Sequence, residues 1–311
     1  MKNLYQKINW KKTITFFSLL IPFLIFSIAT FIVPLSKTIS ESFVVFLGNK
    51  RLVYKIGIEN FQNITNDPSF SVALKNSTFL FFVAAPSGII ISFVLAYILN
   101  SLLSKLFSKI FINVIYSQFF ISSFAIGISF SLLFGEKNIF FSFFNSTYSF
   151  SSLKDPLDIK IYFLVFQIWR SISFNIVFFS FLFLKVDNKY KKQIKLDNLN
   201  FLTKFRSLYL KEWKASFITI ALTNVIYAFL FFPSAIIEPQ LIDQLKAHTL
   251  ASYIIDWINP LNGSVRINFN KAYAASLLTL LYLLFLVIIS AIPFISFSIW
   301  NKIKQKRGVY V

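Results

Sequence analysis

Cysteine is absent, so the chain has neither a disulfide nor a thiolate metal site. A single histidine, His248, excludes a histidine-cluster metal centre. Glycine occurs seven times, and none of the seven builds the G-x-x-x-x-G-K-[ST] loop that cradles nucleotide phosphates. Charged residues make up 14% of the chain, against roughly 25% in soluble domains. The twelve acidic residues all fall outside the long apolar runs, with Glu238 at a boundary. Proton-coupled carriers place Asp, Glu or His inside the membrane, and this chain offers none there. Sodium-coupled carriers rely on broken helices and internal repeats, and no clear repeat is visible. The chain carries no evident fuel of its own. Either it is a passive channel or structural membrane protein, or it borrows energy from a partner.

What is present is apolar. Hydrophobic residues reach 56%, phenylalanine alone numbers 42, and the mean hydropathy is +0.68. A helix needs about 20 apolar residues to cross a bilayer. Six runs qualify, at 15–35, 78–103, 110–134, 161–185, 216–237 and 272–299. The first has no small-x-small cleavage site after it and reads as a retained span. The expectation is an all-α integral membrane protein of six transmembrane helices. Residues 1–14 form an N-terminal segment, 15–300 the membrane domain, and 301–311 a basic tail.

The basic residues give an orientation. Nineteen of the 31 Lys and Arg lie in the N-terminal segment, the 2–3 and 4–5 connections and the tail. Eleven lie on the other side, and Arg170 alone is inside a span. Both termini are therefore expected in the cytoplasm of a cell-membrane protein. Topology and contact with anionic lipid account for the net charge of +19, so nucleic acid is not an expected partner.

The sizeable inner connection is 186–214, with a handle expected over 188–212. It has no Gly or Pro, and Phe201, Phe205 and Leu208 fall at i, i+4 and i+7. Two short helices are expected to meet near Asn198, a residue suited to a left-handed turn. A basic amphipathic helix lying on lipid is the plainer alternative.

Four stretches go further. In KQIKLDNLNFLTKFRSLYLK, 192–211, Asp197 and Asn198 stand where an acidic residue and glycine would close an E-A-A-x-x-x-G motif. Phe205 and Leu208 match its aromatic and the start of I-x-L-P, while Lys192, Gln193, Ile194 and Lys211 depart from it. IPFLIFSIATFIVPLSKTISESF, 21–43, resembles a first span running into P-L-x-x-x-x-x-S-F, with one residue more between Leu35 and Ser42. IGIENFQNITNDPSFSVALKNSTF, 56–79, matches G-L-x-N-F, then D-P-x-F and N-T, ahead of span two. IWRSISFNIVFFSFLF, 168–183, and NVIYAFLFFPSAI, 224–236, complete the set. In combination they resemble the permease subunits of binding-protein-dependent ABC importers for sugars and glycerol 3-phosphate, the last two being nearest the glycerol-phosphate branch.

The resemblance implies a type I importer (MetI-like) permease fold and no covalent chemistry by this chain. Its implied partners are a second, similar permease in a heterodimer, two copies of a cytoplasmic ATPase that uses ATP, and an external substrate-binding protein. No cofactor is expected on this chain. The resemblance assigns ATPase coupling to Lys192, Asp197, Asn198, Leu199, Phe205 and Leu208.

Arg170 sits about 15 Å along its span at 1.5 Å per residue. Gln167, Arg170, Ser171 and Phe174 share a helix face. The resemblance places that face on the translocation path, with Thr223, Asn224 and Tyr227 from span five. A guanidinium there suits a phosphate, which it can bind bidentately. The competing expectation is that Arg170 pairs with a carbonyl or carboxylate of the second subunit. A neutral sugar is the alternative cargo. For Gln118 and Asn175, interhelical hydrogen bonding is expected.

Overall fold

The computed structural model describes residues 10–46, 53–101, 105–135, 138–151, 157–197, 200–260 and 267–306. The chain divides into two compact units, Met1–Asn66 with Arg266–Val311, and Asp67–Val265.

In the first unit, α1 (Trp10–Ser27) and α2 (Val33–Ser42) are joined by a π turn at Ile28–Ile32. The wide turn lies just ahead of Pro34, whose ring cannot donate to the helix ladder. A short antiparallel hairpin follows. β1 (Val44–Phe46) pairs with β2 (Tyr54–Ile56), Val44 opposite Ile56. VVF and YKI are β-branched and aromatic segments that prefer the pleat, and this hairpin is a small addition to a mostly helical chain. After α3 (Glu59–Thr65), the unit closes with α15 (Phe269–Lys306), which packs along α2 and α3. Asn270 Nδ2 donates to the Glu41 carbonyl at 3.0 Å. Asn60 Nδ2 donates to the carbonyls of Ser42 and Val44 at 3.2 and 2.9 Å, so the asparagine of the I-E-N-F stretch holds the hairpin to α3. Helix α15 reaches Lys306.

The second unit begins with α4 (Pro68–Phe79), a π turn at Leu80–Ala84 and α5 (Ala85–Ser101). Asp67 caps α4, accepting from the Ser69 amide at 2.9 Å and from the Tyr253 hydroxyl at 2.8 Å. Asn76 Nδ2 donates to the carbonyls of Lys246 and His248, and Ser77 Oγ accepts from the Leu250 amide. The D-P-x-F…N-S stretch is therefore a set of fasteners between α4 and the start of α14 (Leu250–Ile258).

Span three does not run straight. It is α6 (Lys105–Ser117), a 3-10 turn at Gln118–Phe120 and α7 (Ser123–Phe134), and the flanking helices are bent by 102°. Ser122 causes the restart: its backbone is non-helical and its Oγ accepts from the Ala125 amide at 3.3 Å. A short α8 (Ile139–Ser142) precedes the 31-residue α9 (Ile159–Lys189). Then come α10 (Lys191–Leu196), α11 (Phe201–Lys204), a π turn at Phe205–Tyr209, α12 (Leu210–Glu212) and α13 (Lys214–Phe229).

Span five is also shorter than expected. Pro233 forces Phe232 into an extended conformation, so α13 stops at Phe229 and does not reach 237. Among the described residues, four helices are long and apolar enough to cross a membrane: Thr15–Ser42, Pro68–Ser101, Ile159–Lys189 and Phe269–Pro293. The bent pair and the shorter Ser216–Phe229 occupy the other two apolar runs.

Within the second unit α9 packs most extensively on α5, and α13 crosses both. One apolar core centres on Tyr162, Phe163, Phe166 and Phe231. The other centres on Phe179, Phe183, Leu208 and Trp213.

Candidate functional site

Arg170 is half-buried on α9 and reaches across to the end of α13. Its Nη2 donates to the Tyr227 carbonyl, and its guanidinium lies 4.7 Å from the Tyr227 ring centroid and 6.0 Å from that of Phe231. The local fold explains the contact. Because the helix ends at Phe229, the Tyr227 carbonyl sits in the last turn of α13. Carbonyls there lack helical partners, and a cation is favoured beside them. Away from water an orphan carbonyl costs several kcal/mol. Arg170 therefore pairs with a carbonyl of its own chain.

One bond leaves most of the guanidinium donors uncommitted, and Nε is buried without a partner among the described residues. The group lines a cavity of about 380 Å³ together with Gln118, Phe119, Ile121, Ile126, Ser173, Tyr227 and Leu230. A second cavity, about 290 Å³, shares Gln118, Ile121 and Ile126 and adds Ser129, Phe130, Val165 and Trp169. Gln118 belongs to both because it stands at the break between α6 and α7, with its Nε2 donating to the Trp169 carbonyl at 3.0 Å. The break thus opens a cleft with a cationic, hydrogen-bonding side and an aromatic side. Such a surface suits a solute carrying both an anionic group and a sugar-like ring.

The other residues expected on this path are distributed differently. Ser171 and Asn224 are fully buried at the crossing of α5, α9 and α13. Asn224 exchanges amide bonds with Asn175 at 2.8 and 3.1 Å and donates also to the Ile220 carbonyl. A Cβ on Gly88 would lie 2.7 Å from Ser171 Oγ, so α5 approaches α9 closely there. Gln167 has no exposure, and neither of its amide atoms has a partner among the described residues. Phe174 is half-buried against Phe178, centroids 4.4 Å apart. Thr223 donates to the Thr219 carbonyl of its own helix. The structure brings Arg170 and Tyr227 to one cavity and places Ser171 and Asn224 in packing. Gln118 and Asn175 make the interhelical bonds expected of them. Ser173, which also lines the Arg170 cavity, gave no sequence signal apart from being polar in an apolar run.

The elbow is two helical pieces on either side of 198–199, as expected, and Asn198 and Leu199 themselves lie outside the described residues. The apolar face is used internally. Leu208 is buried among Phe183, Tyr209 and Trp213, and Phe205 packs on Phe93 and Trp213 at 5.7 and 5.6 Å. Lys192 and Asp197 are exposed, as are Leu196 (83%) and Leu202 (73%).

Two carboxylates fasten the elbow to the bundle. Asp187 accepts from Asn100 Nδ2 at 3.0 Å and from the Tyr209 hydroxyl at 2.8 Å. Glu212 accepts from Lys189 Nζ at 2.5 Å and from the Tyr190 hydroxyl at 2.8 Å. The Lys189 bond, then the Tyr190 bond, holds the Glu212 carboxyl below the usual carboxylate range. Burial, then the Asp187 bond, pushes the Tyr209 phenol up. Sequence reasoning passed over Asp187 and Glu212 because their partners lie on other elements.

No protein-family model matches the chain. Two curated relatives do. A probable ABC transporter permease protein of Mycoplasma genitalium is 25% identical over 233 residues, 74% of this chain and 70% of the relative. Its homologue in Mycoplasma pneumoniae is 22% identical over 234 residues, 73% and 70%. Among solved structures, a bacterial ABC transporter involved in import of the acidic polysaccharide alginate superposes with a TM-score of 0.62 at 17% identity, covering 90% of this chain and 94% of that one. A bacterial alginate ABC transporter in complex with an alginate pentasaccharide-bound periplasmic protein gives 0.63, also at 17% identity, covering 93% and 96%. At that identity the likeness is one of fold. The sequence likeness is thus to probable ABC transporter permeases, and the fold likeness is to the alginate transporters.

Proposed function

We propose that this chain is the membrane-spanning permease subunit of an ATP-driven ABC importer, and that its cargo is an anionic carbohydrate such as glycerol 3-phosphate or an acidic sugar. The observation that carries the cargo class is the cavity beside Arg170, where a guanidinium with uncommitted donors faces Gln118 and Ser173. The alginate importer, which shares the fold, handles an acidic polysaccharide, and this supports the anionic reading over a neutral sugar.

The mechanism is alternating access. A second permease completes the pathway, an external substrate-binding protein delivers the solute, and two ATPases drive the cycle. ATP supplies the free-energy difference between the two states, as any such shift requires. The elbow is built to pass force on. Its inner face is locked to α9 through Leu208, Tyr209 and Trp213 and clasped by Asp187 and Glu212. Its outer face, with Leu196, Leu202, Lys192 and Asp197, is left for the ATPase. Motion of the elbow therefore moves α9, the helix that carries Arg170. Both termini face the cytoplasm in this reading.

The test is uptake of labelled glycerol 3-phosphate and of an acidic oligosaccharide by cells carrying Arg170→Gln. Loss of anionic uptake in an assembly that still forms supports the anionic cargo. Unchanged uptake of both solutes rejects it.

A further inference from the structure

At the far end of α9 from the elbow, three lysines on three separate elements line one cleft of about 510 Å³. Lys75 comes from α4, Lys160 from the first turn of α9, and Lys246 from the loop before α14. Lys246 has φ +51°, a left-handed conformation that few residues other than glycine adopt. The floor is the nearly buried Asn76, whose Nδ2 bonds to the Lys246 and His248 carbonyls and so fixes that loop against α4.

None of the three ammonium groups is in an ion pair among the described residues. Among the described residues the one carboxylate lining the cleft is Asp158, which caps α9 by accepting from the Lys160 amide at 2.9 Å. The amino end of a 31-residue helix adds partial positive charge at the same place. With three lysines against one aspartate among the described lining residues, the cleft carries a net positive charge and concentrates anions.

We propose that this cleft is an oxyanion-binding site, taking a carboxylate or phosphate group between Lys75, Lys160 and Lys246. The site stands on this geometry alone. Its position on the outer side, ahead of Arg170 by ten residues of the same helix, or about 15 Å, rests on the orientation proposed above. Two cationic stations then lie along α9, the first open to solution. The oxyanion comes either from a free solute or from acidic side chains on a protein surface.

Lysine acetylation of the purified full chain in detergent, read by mass spectrometry, tests this without any transport assay. Inorganic phosphate is one probe and a poly-glutamate peptide the other. Lys75, Lys160 and Lys246 are expected to be protected severalfold, while Lys37 and Lys185 keep their rates. In Lys160→Gln, the probe concentration needed to protect Lys75 and Lys246 rises about tenfold, equivalent to ~1.4 kcal/mol. Protection by phosphate identifies a site for free anions, and protection by the peptide alone identifies one for acidic protein surfaces. Equal acetylation with and without both probes overturns the proposal. Failure here leaves the permease reading standing, because no ATP or transport enters the measurement.

Discussion

Asn175 of α9 and Asn224 of α13 face each other with no solvent exposure and exchange two amide hydrogen bonds. Each satisfies the other's polar atoms where water is excluded, and they fix the crossing beside the Arg170 cavity. Truncating one strands the other. Asn175→Val and Asn224→Val each lower the melting temperature in detergent, and the double variant loses less than the sum. The coupling energy is expected at about 0.6–1.7 kcal/mol, the range for such pairs in membrane proteins. Strict additivity would mean that the pair is not formed.

Gly88 and Ser171 make a second test of the same crossing. Alanine at 88 places a methyl 2.7 Å from Ser171 Oγ, and overpacking of this kind costs about 1–3 kcal/mol. Gly88→Ala should destabilise the protein, and adding Ser171→Ala should restore most of the loss by removing the oxygen it meets. Thermal melts of the two variants decide this. A Gly88→Ala protein as stable as the parent would show that α5 and α9 do not approach so closely.

Much of this was readable from residue order. Long apolar runs mark membrane helices because nothing else buries so much backbone and side chain in lipid, and Thr15–Ser42, Pro68–Ser101, Ile159–Lys189 and Phe269–Pro293 all lie on such runs. The breaks were harder. The stop at Phe229 was signalled by Pro233, yet the surrounding Phe and Ile residues kept the run apolar to 237. The bend at Gln118–Ser122 carries neither Gly nor Pro. Its mark is a capping serine, but this chain also places serines well inside its helices, such as Ser92, Ser171 and Ser180, so Ser122 does not stand out. Arg170 stood out as a charge in an apolar run, but its partner is a backbone carbonyl, and no side-chain pattern encodes that. Phe205 and Leu208 read correctly as an apolar face. The sequence does not say that this face turns inward.

The Glu212 clasp predicts a pH dependence. Its carboxyl titrates below the ordinary 4.5 because the ionised form accepts from Lys189 first and Tyr190 second. A depressed carboxyl stabilises the fold above that ordinary value, and the contribution disappears as pH falls through the depressed one. Hydrogen exchange over 205–213 should therefore speed up as the pH drops below about 4.5, after correction for the intrinsic rate. Glu212→Gln should give the faster exchange already at neutral pH and remove the dependence. A parent and variant that exchange alike at neutral pH would show the clasp to be idle.

The elbow surface makes a prediction about assembly. Leu196 and Leu202 are exposed, so Leu196→Glu and Leu202→Glu should leave the chain folded and detach the ATPase in affinity purification. Leu208→Glu, by contrast, should unfold the elbow, since Leu208 is 5% exposed and lies in the aromatic core. Retention of the ATPase by both exposed-site variants would place its grip elsewhere.

The most direct measurement is solute accumulation in proteoliposomes reconstituted with the affinity-purified assembly, with and without ATP. The account predicts uphill accumulation that requires ATP and a co-purified ATPase, with no movement through this chain alone. Equilibration of the solute at the same rate without nucleotide, by a preparation lacking any ATPase, would contradict it and leave a passive channel.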